Sequence, residues 1–397
     1  FAVDVGIFTN CEGVFYQPIC EDMGWKLSFL NISTVFSGIA SVVMSRFARK
    51  IYKKYKIKDV IVCMSILMAA GFGLKAAGHT LFTMCFASVL FGIGAGIVSY
   101  SAVPFIINGW FKKRQGFALG IAYVSSGISS MICSKLAADL IVKIGWRLTR
   151  FAFAAGGIIL LLPFVFLFLA MPDDVQISAY GISEEDLKNG YDPHAAGRNL
   201  TQRERDRRGR ICFVLAITLM LTTAFATFHM TNFAVAGGLS AAMVSSIMSY
   251  SMLGNSVSKA IVGPSMDVIG KKKTLIAASA IVMAGLLLLL YARSEMWIGV
   301  GTVFFGFSIA INMLANPALI ETFASGDDYT RYISNASTAT LFTLAFGNFF
   351  ISLIYDSFGS YTPVIWMTIA LTVISIVMIV YILNLAEKDK KITQKTC

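Results

Sequence analysis

Apolar runs long enough to cross a bilayer recur twelve times along this chain, and no other feature restricts its fold as strongly. A transmembrane helix needs about 20 predominantly apolar residues. Such runs lie at 1–19, 28–46, 59–78, 81–109, 116–141, 148–171, 211–236, 241–264, 274–292, 296–320, 332–354 and 362–385. In lipid every backbone N–H and C=O must be satisfied within the protein, so runs of this length predict an all-α membrane protein. The composition agrees: of 397 residues 56% are hydrophobic and 14% charged, where soluble domains carry about 25% charged residues. Water-soluble enzymes are excluded on that ground. No HExxH, no GxSxG and no clustered intramembrane His/Asp set points to an enzyme within the membrane either, and no metal or cofactor is expected.

The net charge of +11 sorts by topology. The connections after even-numbered runs, together with the tail, hold 25 of the 33 Lys and Arg residues. Lys26, Lys143, Arg147 and Arg293 fall in the odd-numbered connections, Lys75 and Arg150 at the adjoining ends of the third and sixth runs are counted with them, and Lys135 and Lys259 lie within runs. Positive connections stay in the cytoplasm, so both termini are expected inside, and no nucleic-acid partner is needed to explain the charge. The expected organisation is an N-terminal six-helix bundle over 1–171, a cytoplasmic linker at 172–210, a C-terminal six-helix bundle over 211–385 and a tail at 386–397. The linker's run "RERDRRGR" reads as the inside anchor of the seventh run. The seven cysteines show no CxxC pair and read as thiols rather than disulfides, the pair Cys11 and Cys20 included. The first run starts at Phe1 without a methionine and reads as trimmed; no cleavable signal peptide is expected.

The two halves echo each other. "FGIGAGIVSYSAVPFI" begins at Phe91 and "FGFSIAINMLANPALI" at Phe305, an offset of 214, while Pro104 and Pro317 are 213 apart. Basic connections near residue 45 and at 263–273 share a similar offset. Three matches at nearly one spacing predict a duplicated six-helix unit with parallel repeats.

Within the eighth run, Asn255 and Lys259 stand four apart and so share one helix face. A buried ammonium is costly unless it meets water or an anion. Spacing alone leaves two readings: an anion site, or a lysine snorkelling from about 6 Å inside Gly263 to the membrane surface. Lys135 and Asp139, also four apart, read as an internal ion pair.

Twelve runs, a central polar linker and this repeat resemble the major facilitator superfamily. Its loop signature, roughly G-x-x-x-D-x-x-G-R/K, is met in full by Gly263, Asp267, Gly270 and Lys271, while the first copy is degraded, with Ser45 and Arg49 in the Gly and Asp places. "NGWFKKRQGFALGIAYVSSGIS" from Asn108, "FHMTNFAVAGGLS" from Phe228 and "EGVFYQPICEDMGW" from Glu12 are similar to segments of the monocarboxylate porter and oxalate:formate antiporter branch. The resemblance implies a fold of twelve transmembrane helices in two pseudo-symmetric bundles, alternating access, and a multi-pass place in a cell membrane of the bacterial inner-membrane kind. It implies a latching role for the signature loop.

For site residues, the branch's eighth helix aligns Asn255 and Lys259 with an amide or acid and a substrate-binding base. Lysine stands where arginine is usual, replacing a planar fork with a point charge. Tyr100 falls at a cavity-lining aromatic, Asn10 where monocarboxylate porters carry a lysine, and Thr340 where oxalate porters carry a second base. One cavity cation then favours a monoanion over a dianion. Glu12 and Glu321 are the carboxylates that could carry a proton, since low dielectric favours the neutral form. His229 could orient substrate or shuttle a proton, because imidazole titrates near neutral pH. Gly116, Gly120 and Gly127 put small residues along the fifth helix, where helices can approach closely.

The expected function is secondary transport of a small organic anion, a monocarboxylate first, by proton symport or anion exchange, with substrate, protons and lipid as partners. The alternatives are transport of an amphipathic or cationic compound recognised by Glu12, and a receptor without transport on the same scaffold.

Overall fold

The computed structural model describes residues 1–25, 27–99, 101–111, 113–172, 180 and 200–396. Among these the chain is helical, and the only extended pairing is an isolated bridge between Phe111 and Tyr180. Twelve helical passes follow the twelve apolar runs. The first, α1, is broken into a π-helical stretch Ala2–Thr9, a 3-10 stretch Glu12–Phe15 and an α-helical end Tyr16–Met23. Next come α2 (Leu27–Ser45), α3 (Ile57–Leu74, closed by the turn Lys75–Ala77) and α4 (Leu81–Val98, resumed as Ala102–Trp110). A short helix, Ala48–Lys54, carries the basic connection between α2 and α3. The two arms of Gln115–Phe168 on either side of Gly145 are α5 and α6; a positive φ of 79° at Gly145 makes the corner, which a side chain would strain.

The later passes are α7 (Gln202–Ala224, a π turn Phe225–His229, then Met230–Ala236), α8 (Ala241–Val268), α9 (Lys271–Tyr291), α10 (Glu295–Ile320), α11 (Gly326–Phe358) and α12 (Thr362–Thr396). Eight helices among the described residues are long and apolar enough to cross a membrane, one of them being the continuous Gln115–Phe168. The helix α8 is not in that group. Its seven serines, Asn255, Lys259 and Asp267 dilute its apolar character.

Two boundaries move. The helix α7 starts at Gln202, inside the expected linker, because Thr201 and Glu204 form a reciprocal capping box that satisfies orphan N–H groups at its start. Its basic first turns then dock within the same unit: Arg208 on Asp389 at 2.6 Å, Arg331 on Asp206 at 3.3 Å, with Tyr332 donating to Asp206 at 2.7 Å. The expected tail is helical too, continuing α12 as far as Thr396. Most of the expected linker, 173–179 and 181–199, lies outside the described residues.

Contacts divide the chain into two compact units, Phe1–Phe111 with Ala122–Gly181 and Lys112–Ile121 with Ile182–Cys397. In the first, α2 lies against α4: Ser41 donates to the Gly92 carbonyl at 2.9 Å, and a Cβ on Gly92 would sit 2.2 Å from the Ser37 carbonyl oxygen. Phe8, Phe15, Met68, Phe72 and Met84 fill its core. In the second, α8 crosses α10 where a Cβ on Gly254 would meet the Val303 carbonyl oxygen at 2.0 Å. Lipid offers little hydrophobic drive for helix association, so such close backbone approaches supply the packing.

Candidate functional site

The site is built from α8 outward, within the second unit. Its start is fixed by Ser240, whose Oγ accepts from Met243 N at 3.3 Å and whose own N and Oγ donate to the Glu295 carboxylate at the head of α10, at 2.5 and 2.7 Å. Three turns on, Ser251 donates to the Ala226 carbonyl at 3.0 Å. That carbonyl belongs to the π turn of α7, where the widened ladder frees backbone groups for such bonds. One turn further comes Asn255, then Lys259.

Lys259 is 1% exposed and Asn255 4% exposed. This burial excludes the snorkelling reading for the structure: the side chain does not extend to the surface. Asn255 Nδ2 contacts Met252 Sδ at 3.9 Å, and its Oδ1 has no partner among the described residues. A buried amide left unsatisfied costs about 1–3 kcal/mol, which a bound polar ligand or water would recover. Buried amides recur on α10: Asn312 donates to Met220 Sδ at 3.2 Å, and the Oδ1 atoms of Asn312 and Asn316 also lack partners among the described residues. Both asparagines went unremarked in the sequence, although they sit inside the repeated segment.

His229 ends the π turn and is buried, with Nδ1 3.3 Å from the Tyr361 hydroxyl and Nε2 without a partner among the described residues. Phe225, Phe233 and Tyr355 pack rings around Tyr361. The Ser251–Ala226 bond thus joins the turn that presents His229 to the helix that presents Asn255 and Lys259. Thr340, on α11, is buried and bonds back to the Ala336 carbonyl at 3.1 Å.

The remaining candidates are placed differently. Asn10 is exposed at the end of the first π stretch, in the first unit. Tyr100 lies outside the described residues. Glu321 is ion-paired with Lys271. Glu12 is shared by two cations: Oε1 accepts from Lys75 Nζ at 2.7 Å and Oε2 from Arg150. Lys75 and Arg150, counted by sequence with the odd-numbered connections, are buried side chains of the first unit. The chain ends of α3 and α6 fold inward there, so position in a connection did not mean exposure. Arg147 donates to the Ala76 and Gly78 carbonyls at 2.8 and 3.2 Å and pairs with Asp22 at 3.3 Å. Lys135 and Asp139 do not form the expected ion pair; both side chains are exposed on α5. No disulfide joins the cysteines among the described residues.

The Major Facilitator Superfamily model matches residues 6–236 and 209–396. The chain belongs to the major facilitator superfamily. No curated protein matches the sequence. Solved structures that resemble it include a variant of the E. coli fucose:proton symporter FucP, at 14% identity and TM-score 0.70, covering 96% of each chain. The human organic anion transporter MFSD10 has 12% identity and TM-score 0.70, covering 95% of this chain and 98% of its own. The proton:xylose symporter XylE has 12% identity and TM-score 0.76, covering 95% of this chain and 92% of its own. At such identities the likeness is one of fold.

The superfamily's loop signature has a defined geometry here. Asp267 accepts from Gly116 N at 3.2 Å and Phe117 N at 2.7 Å, capping the start of α5, where unsatisfied N–H groups favour an anion. Gly263 makes the approach possible, since a Cβ there would lie 2.5 Å from the Gly116 carbonyl oxygen. Gly270 turns the chain at φ 100°, and Lys271 meets Glu321. Gly120 faces the Lys259 carbonyl across the same contact, so the small residues of α5 and the candidate cation share one packing seam.

Proposed function

We propose that this superfamily member is a secondary transporter of a small organic anion, a monocarboxylate, working by alternating access with proton symport or anion exchange. The observation that carries the reading is the near-complete burial of Lys259, one turn beyond Asn255 on the same helix face. An ammonium held in a membrane helix is expensive, and such residues mark substrate and ion pathways. A carboxylate neutralises the charge and accepts from the ammonium and from the Asn255 amide. A monoanion leaves the pair neutral, so apolar helices can close around it; a dianion leaves a net charge behind.

His229 is the orienting donor, tied to the helix of Asn255 and Lys259 through the Ser251–Ala226 bond. Of the groups that could carry a proton, Glu321 is committed to Lys271, so coupling falls to Glu12 or His229. A cationic cargo recognised by Glu12 is disfavoured by the two cations that already hold its carboxylate.

Uptake of radiolabelled lactate, acetate and formate into proteoliposomes, with and without an inward proton gradient, tests the reading. Accumulation driven by the gradient supports symport, and accumulation only against internal anion supports exchange. Uptake by Lys259→Gln equal to the parent would remove Lys259 from the mechanism. No flux of any of the three anions would remove monocarboxylate transport altogether.

A further inference from the structure

The first unit buries a charge cluster that the Lys259 site does not explain. Lys75 and Arg150 are 5% and 0% exposed at the side chain, yet one carboxylate, Glu12, serves both. The cluster therefore carries one surplus positive charge. Both cations are held by groups other than Glu12. Arg150 Nε donates to the Phe72 carbonyl at 2.9 Å, and its guanidinium lies 4.4 Å from the Phe72 ring centroid and 5.0 Å from that of Phe15. Lys75 Nζ lies 5.3 Å from the Phe91 ring centroid. Arg150 Nη1 is buried with no hydrogen-bond partner among the described residues.

The carboxylate is the less firmly held part. Glu12 opens the 3-10 stretch between the π-helical and α-helical pieces of α1, where the backbone ladder changes register. Its side chain is 12% exposed, and Gly13 beside it is exposed with open space around its Cβ position. Fixed cations, a spare N–H and a tethered carboxylate that reaches solvent describe a carboxylate receptor filled by the protein's own acid. A cluster serving only to fasten helices would balance its charges, because uncompensated buried charge is destabilising.

We propose that Lys75 and Arg150 form a carboxylate-binding site in the first unit, occupied here by Glu12, and that a small monocarboxylate replaces Glu12 when Glu12 takes up a proton. The charges balance: one proton binds a Glu12 carboxylate oxygen, one anion replaces that carboxylate on the two cations, and the cluster keeps its net charge of one. Proton and anion thus enter together, one for one, and each strengthens the other's binding by linkage. The other titratable groups facing the cluster are Tyr16, on the same helix as Glu12, and Cys85 of α4, beside Lys75. Neither changes the count, since both are neutral in the exchange.

The test is equilibrium binding of radiolabelled lactate to the purified full chain between pH 5.5 and 7.5, in the parent and in a Lys259→Gln background, which silences the site of the proposed function. The inference expects lactate affinity in that background to rise about tenfold per pH unit, so about a hundredfold on acidification across this range, one proton being linked to one anion. Glu12→Gln should bind at pH 7.5 at least as tightly as the background does at pH 5.5, with no pH slope. Lys75→Gln and Arg150→Gln should lose the acid-enhanced binding. Should the arginine variant not fold, the flat pH profile of Glu12→Gln still decides. A retained pH slope in Glu12→Gln overturns the proposal, as does unchanged binding in Lys75→Gln or loss of all lactate binding in Lys259→Gln alone. Binding that survives Lys259→Gln while uptake is lost leaves both readings standing. Uptake that survives Lys259→Gln overturns only the proposed function.

Discussion

The two units bury positive charge in different surroundings. In the first, Lys75 and Arg150 converge on Glu12 and lie against phenylalanine rings at the ends of α3 and α6. In the second, Lys259 is buried about two-thirds of the way along α8, one turn beyond the buried Asn255 and on the helix that Ser251 ties to the turn of His229. The segments containing Phe91 and Phe305 keep one frame, yet the chemistry set on that frame diverged. A carboxylate beside a cation meets most of its electrostatic need before any ligand arrives. Amides and hydroxyls answer a charge more weakly than a carboxylate does. The comparison therefore teaches which cation a ligand gains most by meeting directly, and which must first be released.

The largest expected effect follows from that difference. Lys259→Gln removes the charge and keeps the length, and loss of one member of a buried charged contact costs about 2–5 kcal/mol in affinity. Anion uptake in proteoliposomes should fall at least about thirtyfold, by the rule that 1.4 kcal/mol is tenfold, while the purified protein unfolds near the parental temperature. Equal loss of folded protein and of uptake would make Lys259 a structural residue and erase the contrast between the units.

Arg150→Gln should act the other way round, on stability first. It leaves Glu12 with one cation and strips the ring shelf of its guanidinium, and breaking a buried pair costs about 3–5 kcal/mol. Thermal unfolding in detergent should drop markedly, and Glu12→Gln combined with it should recover part of the loss, since the two changes act on one interaction. Additive losses would show that Arg150 works through Phe72 and Phe15 alone.

Third comes Gly254→Val. The α8–α10 crossing has no room for side-chain atoms on that glycine, and forcing them in costs about 1–3 kcal/mol through helix displacement. The variant should lower the unfolding temperature and weaken uptake together, because Asn255 is the next residue along the same helix. Unchanged uptake with lowered stability would separate the crossing from the site.

Sequence could show the frame and one cation but not this division. Twelve apolar runs specify twelve passes, because lipid leaves a chain no other way to satisfy its backbone. The loop signature was legible as well, since Gly263, Asp267 and Gly270 each perform a local task that few other residues can. The Lys75–Glu12–Arg150 cluster was not legible. Its members are 63 and 138 residues from one another in pairing, and a cation at a helix end looks the same in sequence whether it faces water or folds inward. Asn312 and Asn316 were hidden for a related reason: an asparagine in an apolar run gives no sign of which neighbour it will face. The missing Lys135–Asp139 pair shows the converse, that helical spacing offers a contact without requiring it.

Lys135 supplies the smallest expected effect and the sharpest control. It is, like Lys259, a lysine inside an apolar run, but it is exposed on α5 where Lys259 is 1% exposed on α8. An exposed ammonium on a long stem can carry its charge toward the membrane surface while its methylenes stay in contact with apolar neighbours. Lys135→Gln should change stability by no more than about 0.5 kcal/mol, as surface substitutions do, and should leave uptake and its pH dependence at parental values. Asp139→Asn should do the same, singly and combined with it, because no ion pair joins them. If Lys135→Gln halted uptake as Lys259→Gln is expected to, burial would not be what distinguishes a binding cation from a bystander, and the assignment of Lys259 would lose its physical ground.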